Sequence, residues 1–492
     1  MMDLWYAYGL PVVYFMAAIG GALAVPVVAS LSFSVAHRWS AGAKISTMLA
    51  AILLGNALSV ALSGRHLFSA EELQLHPLLA MDNPDQNAVT WIGRLTVAAV
   101  LTVCAGELLP WIMGRVRLHP SAVPLWWTFM LFYLCMNYLS LAFGSGNSEN
   151  FRMTWLYPPL AMTTLMLLAP QGMLRSLPHL RRVIFIVLAG SLLGALVQPQ
   201  VTVEKNYLSL LPGIHFRLHG YAEHANTLGA LAATGLILEL CPIARNRANF
   251  IFLLTALTAL VLSQSKTSWV WGGLGALAVQ YESIKVRFLP ADPQRQVLSS
   301  WILRLLGLAI TLVFAAWLLQ TRVVTDLANR QDITTLTGRT TIWAITWDQF
   351  NDNPLFGYGP GLWDLRFRIE KGWPAVGHAH NQLMQALGQA GLFGAVTLLA
   401  YITTLGRRCF QTSKASAGLA GTFFLVLLLR SVSECPLDLF SLGGIDALTH
   451  YLCAGLALAG LTAAAPSAAH SWRLPTVPTV PIAKPERESA EP

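Results

Sequence analysis

Three successive stretches, GRTTIWAITWDQF (338–350), NPLFGYGPGLW (353–363) and GHAHNQLMQALGQAGLFG (377–394), form a polar, glycine-punctuated insert between two hydrophobic spans. Long connections inside a membrane domain are seldom passive, because loops of this length without regular structure are usually functional or disordered. This one carries cations, histidines and aromatics with few low-complexity runs, and it reads as the wall of an active site at a membrane surface. Outward from it the chain is apolar: 55% of residues are hydrophobic and 11% charged. An ordinary soluble domain has roughly 25% charged residues, so most of this chain belongs in lipid.

Spans of about 20 apolar residues, enough to cross a bilayer, recur along nearly the whole length. They fall at 9–33, 44–63, 91–113, 121–144, 154–173, 183–198, 225–243, 248–265, 267–281, 300–321, 381–406, 416–432 and 443–463. Some are short or abut, so the expectation is an all-α integral membrane protein of 12 or 13 transmembrane helices, since helices satisfy their own backbone in lipid. No cleavable secretory signal is expected, since the first span lacks a basic flank and an obvious small-residue cleavage site. Three parts are expected: an N-terminal bundle (1–198), a half carrying the polar loop 322–379 (199–470), and an extended, proline-rich cytoplasmic tail (471–492).

Lys and Arg collect in alternate connections: Arg115 and Arg117; Arg175, Arg181 and Arg182; Arg245 and Arg247; Lys285, Arg287 and Arg295; Arg407, Arg408 and Lys414. Such loops stay inside, which puts the connections between them, and the 322–379 loop, outside. The net charge of +8 therefore reflects topology and not nucleic-acid binding. The six cysteines have no metal-like spacing and give no disulfide or zinc framework.

Three outside constellations stand out. IHFRLHGYAEHANTLG (214–229) holds Arg217 among histidines, SQSKTSW (263–269) puts Lys266 at the outer end of one span, and Arg339 opens a segment whose Ile342, Ile345, Trp347 and Phe350 approximate one apolar face. Singly, each cation reads as a headgroup contact, a snorkelling lysine or a solvated charge. Together, three cations gathered at the outer boundary against the usual bias suit a pyrophosphate presented from the membrane. His380 and Asn381 open the following span, where a helix N-terminus disfavours imidazolium and keeps the ring neutral as a general base requires. His378 reads as support. NPLFGYGPG is either a set of tight turns or a row of backbone N–H donors for phosphate. Trp343 and the other tryptophans of the insert suit either sugar stacking or an interfacial belt.

GRTTIW, NPLFGYGPG and HN followed by nine residues and GLFG, with RLHGYAEHANTLG and LSQSK upstream, resemble the O-antigen ligase and polymerase superfamily of bacterial envelopes over 215–406. Lys266 stands where arginine is usual in that family, and Ala395 where threonine is frequent. The resemblance implies a GT-C-type glycosyltransferase of the inner membrane with a periplasmic helical cap. Such an enzyme moves a glycan from undecaprenyl pyrophosphate to an acceptor, which for ligases is lipid A-core oligosaccharide. It implies His380 as catalytic base, Arg339, Lys266 and Arg217 at the pyrophosphate, and His378, Asn381, Tyr358 and Trp343 as supporting or glycan-contacting residues. Charge growing on a diphosphate leaving group, with a base for the acceptor hydroxyl, suggests a single in-line displacement that inverts the anomeric centre. The absence of any outside Asp-x-Asp motif or carboxylate cluster predicts no metal requirement and no other cofactor.

Competing readings are a repeat-unit polymerase or protein O-oligosaccharyltransferase using the same donor, a lipid-linked glycan flippase or transporter, and a zinc hydrolase. The last would use His215 and His219, spaced i to i+4, with His224 or His378. A transporter would place its ionisable groups near mid-membrane, whereas here the cations and histidines collect outside.

Overall fold

The computed structural model describes residues 30–67, 86–146, 151–207, 213–244, 249–288, 338–373, 376–442 and 444–461, with Ser209 and Leu211. The protein is an all-α integral membrane protein whose only described strands, β1 (Val203–Lys205) and β2 (Phe216–Leu218), form one short antiparallel ribbon. The helices are α1 (Ala41–Leu62), α2 (Gln86–Ile112), α3 (Val123–Leu134, carried on by a π-helical turn and Ser140–Phe143), α4 (Tyr157–Val197), α5 (Ala225–Leu240) and α6 (Phe250–Leu262). They continue with α7 (Lys266–Phe288), α8 (Arg339–Asp352), α9 (Leu365–Glu370), α10 (Gln382–Thr412), α11 (Leu419–Ser433) and α12 (Leu448–Leu456). Among the described residues, α1, α2, α3 with its extension, α4 and α10 are long and apolar enough to cross a membrane. Helices α5, α6 and α11 are shorter apolar segments. The expected spans 300–321 and most of 9–33, residues 322–337 and the proline-rich tail lie outside the described residues.

Helix α4 accounts for two expected spans. A straight helix of its 41 residues would extend about 62 Å. Yet Tyr157, at its start, lines a cavity with Asn56 of α1, and Val201, just past its end, accepts a hydrogen bond from Arg65 Nε (2.8 Å) just past the end of α1. Between these ends Gly172 meets Ala41 at the opposite end of α1, and Arg181 pairs with Glu239 at the far end of α5. The segment therefore folds back on itself, with Pro170 and Pro178 inside it at the fold. Arg175 and Arg181 consequently lie at the bundle end opposite Arg217, as the alternation of cationic loops predicts.

Helix α5 is the central post, buried from Ala225 to Ile237 except at Asn226, which is half-buried. Its ANTLGALAATG sequence supplies the small side chains that let helices approach in lipid, where hydrophobicity alone gives no helix–helix preference. Gly229 shows the need: a Cβ there would lie 2.8 Å from both Ser263 Oγ and Ser265 Cβ and 2.9 Å from Ser268 Oγ. Glycine one turn after Asn226 thus admits the α6–α7 turn that carries Lys266.

The insert has its own small core of Ile342, Leu362, Trp363, Phe367, Val376 and Ala379, against which Trp343, Ile345, Tyr358 and Trp373 pack. The buried stripe of α8 is Ile342, Thr346 and Gln349, while Ile345 and Phe350 are half-buried and Trp347 is exposed. Polar residues occupy the inward stripe because they have partners there: Thr346 Oγ1 donates to the Ile342 carbonyl (2.8 Å) and accepts from Trp363 Nε1 (3.2 Å).

Candidate active site

The N-terminal ends of α5, α7, α8 and α10 bound one site, and the C-terminal end of α11 delivers Glu434 into it. Helix N-termini carry partial positive charge and unpaired N–H groups, so the frame attracts anions before any side chain is counted. Arg339 is the first residue of α8, preceded by Gly338 at φ 79° with no side-chain cap. A cation there opposes the helix dipole, a placement that costs local stability. Its offset is Glu434, whose Oε1 lies 3.7 Å from Arg339 and accepts from Asn226 Nδ2 at 2.9 Å. Asn226 in turn accepts from Arg217 at 2.6 Å, and Arg217 Nε donates to the Ser263 carbonyl (2.9 Å). Arg217 therefore reaches the cluster through Asn226 and also stacks over the Tyr207 ring at 5.0 Å. Lys266 opens α7, half-buried, and that first turn rests on α5 through Ser265, which hydrogen-bonds Ser268 Oγ (2.8 Å), and through Ser268 against the Asn226 carbonyl (3.5 Å).

The other Glu434 oxygen faces both histidines, 3.4 Å from His378 Nε2 and 3.3 Å from His380 Nδ1. The hydrogen bonds set the tautomers. His378 Nδ1 accepts the His380 backbone N–H (3.1 Å), so a neutral His378 carries its proton on Nε2, toward Glu434. His380 Nδ1–H donates to Glu434, which leaves Nε2 as the proton-accepting nitrogen. Burial pushes the Glu434 carboxyl up, but the His380 hydrogen bond and the charges of His378, His380 and Arg339 outweigh it and lower it to about 2. His224 caps α5 by accepting the Asn226 N–H (3.1 Å); burial, then His219 and Arg217, push it down to about 3.

His380 adopts φ 51°, a left-handed conformation that a non-glycine residue holds only when its surroundings impose it. Here they do. Trp343 Nε1 donates to the Ala379 carbonyl (2.9 Å), and the Ala379 N–H donates to Gln385 Oε1 (2.8 Å). Gln385 passes on to Gln389 (3.0 Å), and Gln389 to the Met136 carbonyl (2.9 Å) within the π-helical turn of α3. Asn381 caps α10 by accepting from Leu383 N and Met384 N (both 3.0 Å) and ties it to α11 by donating to the Val432 carbonyl (3.2 Å).

Helix α10 breaks at Gly391 (φ 61°, ψ −151°), and the NPLFGYGPG loop fills the break. The Leu392 N–H donates to the Pro354 carbonyl (2.8 Å), Tyr358 N–H to Gly388 (2.8 Å) and Gly359 N–H to Gln389 (2.9 Å). The loop's Tyr358 and Gly359 N–H groups are spent on the helix, which favours the tight-turn reading of this loop over the phosphate cradle. Tyr358 is held likewise, with its ring edge-on to Phe367 at 4.8 Å. Trp343 is committed to Ala379 by its indole N–H.

His378, His380 and Glu434 present three ligand-type atoms within 4.8 Å of one another. Asn226 and Arg339 take Glu434 Oε1, so Oε2 with the two histidines makes either an ion-pair cluster or a set of metal ligands. The zinc arrangement of His215 and His219 does not form: they flank strand β2, not a helix, with His215 exposed and His219 paired to Glu204 (2.9 Å). Sequence reasoning missed Glu434, a single acid in SVSECPLD after an apolar span, and the buried Gln385 and Gln389 relay.

The arrangement thus offers cations and helix N-termini for an anion beside an oriented imidazole. Residues 251–399, which include Lys266, Arg339, His378 and His380, match the family model described as O-antigen ligase. No curated protein matches the chain. The matched segment, about three-tenths of the chain, supports a member of the O-antigen ligase superfamily.

Proposed function

We propose that the protein is an O-antigen ligase of the GT-C type in the bacterial inner membrane, with its site facing the periplasm. It transfers O-antigen from undecaprenyl pyrophosphate to lipid A-core oligosaccharide, with catalysis in the half spanning 199–470 and a periplasmic cap built on the 322–379 loop. The observation that carries this reading is that His380 and Arg339 meet on the two oxygens of Glu434, with Arg217 one side chain behind them.

In the proposed reaction His380 Nε2 takes the proton of an acceptor hydroxyl as its oxygen attacks the anomeric carbon. The bond from that carbon to the diphosphate breaks in the same in-line step, inverting the centre and releasing undecaprenyl diphosphate. Charge grows on the leaving group, so Arg339, Lys266 and Arg217 stabilise the transition state more than the ground state. Cation charge performs this task without a metal ion. His378, Asn381, Trp343 and Tyr358 hold the backbone and ring that present His380.

The test is reconstitution with a defined lipid-linked glycan and, in separate vesicles, lipid A-core or a pilin-like protein. Glycan on lipid A-core is the expected product. Elongated glycan left on the polyprenyl carrier, or glycan on the protein alone, would overturn the assignment in favour of a polymerase or a protein O-oligosaccharyltransferase.

A further inference from the structure

A buried carboxylate at the centre of a site framed by four helix N-termini and several cations needs a physical reason. Glu434 is nearly enclosed, its side chain 12% exposed, and sits at the C-terminal end of α11, where the helix dipole disfavours negative charge. Its two oxygens also divide their partners: Oε1 takes Arg339 and Asn226, Oε2 takes His378 and His380.

We propose that Glu434 is the positioning residue of the site: one oxygen orients His380, while the other holds, in the donor-free protein, the seat that the donor's diphosphate takes on Arg339 and Asn226. This deepens the ligase reading and rests on it. The first half follows from the hydrogen bond. A carboxylate on Nδ1 selects the tautomer with Nε2 unprotonated and turns that nitrogen away from α11. The second half follows from charge. Arg339 and Asn226 offer their donors to whichever anion is present, and a diphosphate with several oxygens matches a guanidinium fork better than one carboxylate oxygen at 3.7 Å. When Arg339 turns to the diphosphate, Glu434 loses the cation that neutralises it and its charge falls on His380, strengthening the base only once donor is seated. The other groups facing His380 are His378 from its own loop, Cys435 beside Glu434, and His224 from the α5 cap.

The experiment compares wild type, Glu434→Gln, Glu434→Asp and His380→Ala, full length in nanodiscs, reading transfer kinetics and, separately, equilibrium binding of undecaprenyl diphosphate. Glu434→Gln keeps shape and removes charge. The expected result is a split: kcat falls at least tenfold, less than the roughly 10²–10⁴-fold that a general base contributes, while the lipid diphosphate binds as tightly as in wild type or more so. Glu434→Asp restores part of kcat. Wild-type kcat in Glu434→Gln with inactive His380→Ala would overturn this proposal and leave the ligase reading standing. Parallel losses of kcat and diphosphate binding would overturn it too, since they mark a brace and not a competing anion. Full activity in His380→Ala would instead remove the base on which both depend.

Discussion

Gly391→Ala isolates the fit between the broken helix and the insert. Gly391 has φ 61° and ψ −151°, where a side chain costs about 1–3 kcal/mol of backbone strain. A Cβ there would also lie 2.4 Å from both Leu355 C and Leu355 O, backbone atoms that have no rotamer to escape into. The loop must back away, which breaks the Leu392 N–H bond to Pro354 (2.8 Å) and the longer Phe393 N–H bond to Leu355 (3.4 Å). At about 1 kcal/mol net for each bond, the two losses and the strain sum to roughly 3–5 kcal/mol. The assay is thermal unfolding of the purified protein in one detergent at one scan rate, followed through tryptophan fluorescence, with transfer activity measured below the transition. A large drop in unfolding temperature is expected, with activity lost before the bundle melts because α10 begins two residues after His380. A variant that melts with wild type and turns over normally would refute the reasoning, since it would mean that the loop does not depend on the glycine.

Trp343→Phe keeps the ring and removes the donor to the Ala379 carbonyl, so kcat is expected to fall several-fold with little change in donor KM; unchanged kcat in steady-state assays would detach Trp343 from His380. The Glu434 carboxyl is lowered to about 2 from the usual 4.5, so its contribution to stability is complete above about pH 4.5 and is lost as pH falls through about 2. A shift of that size corresponds to roughly 3 kcal/mol as an order of magnitude. Wild type should therefore lose more thermal stability than Glu434→Gln between pH 5 and pH 3, and equal slopes would contradict the assignment. Turnover is expected to persist in excess chelator; activity abolished by chelator and restored by one divalent ion would make His378, His380 and Glu434 a metal site.

Much of the architecture is written in local pattern. The apolar runs at 44–63, 91–113 and 121–144 became α1, α2 and α3 nearly residue for residue, and Asn381 reads as a cap because an amide before an apolar run can take the first free N–H groups. The alternation of cationic loops was enough to bring Arg217, Arg339 and His380 to one end of the bundle. What escaped reading depends on partners distant in the chain. Glu434 has no motif around it, and its importance arises from Asn226, Arg339, His378 and His380 meeting there. The break at Gly391 lies inside an apolar run that reads as continuous helix, because a glycine's conformation is set by what packs against it, here Leu355. Thr346 and Gln349 look like the solvent face of α8 until Trp363 and the insert's small core cover that stripe. Helix-dipole reasoning for His380 left out the carboxylate 3.3 Å away.

The most direct test of the central claim is single-turnover transfer of a defined undecaprenyl-pyrophosphate glycan to lipid A-core by wild type, His380→Ala and Arg339→Ala, each shown to be folded by its thermal transition. The account predicts that both variants lose transfer while His380→Ala still binds undecaprenyl diphosphate and Arg339→Ala binds it weakly. Transfer at the wild-type rate by His380→Ala would contradict it.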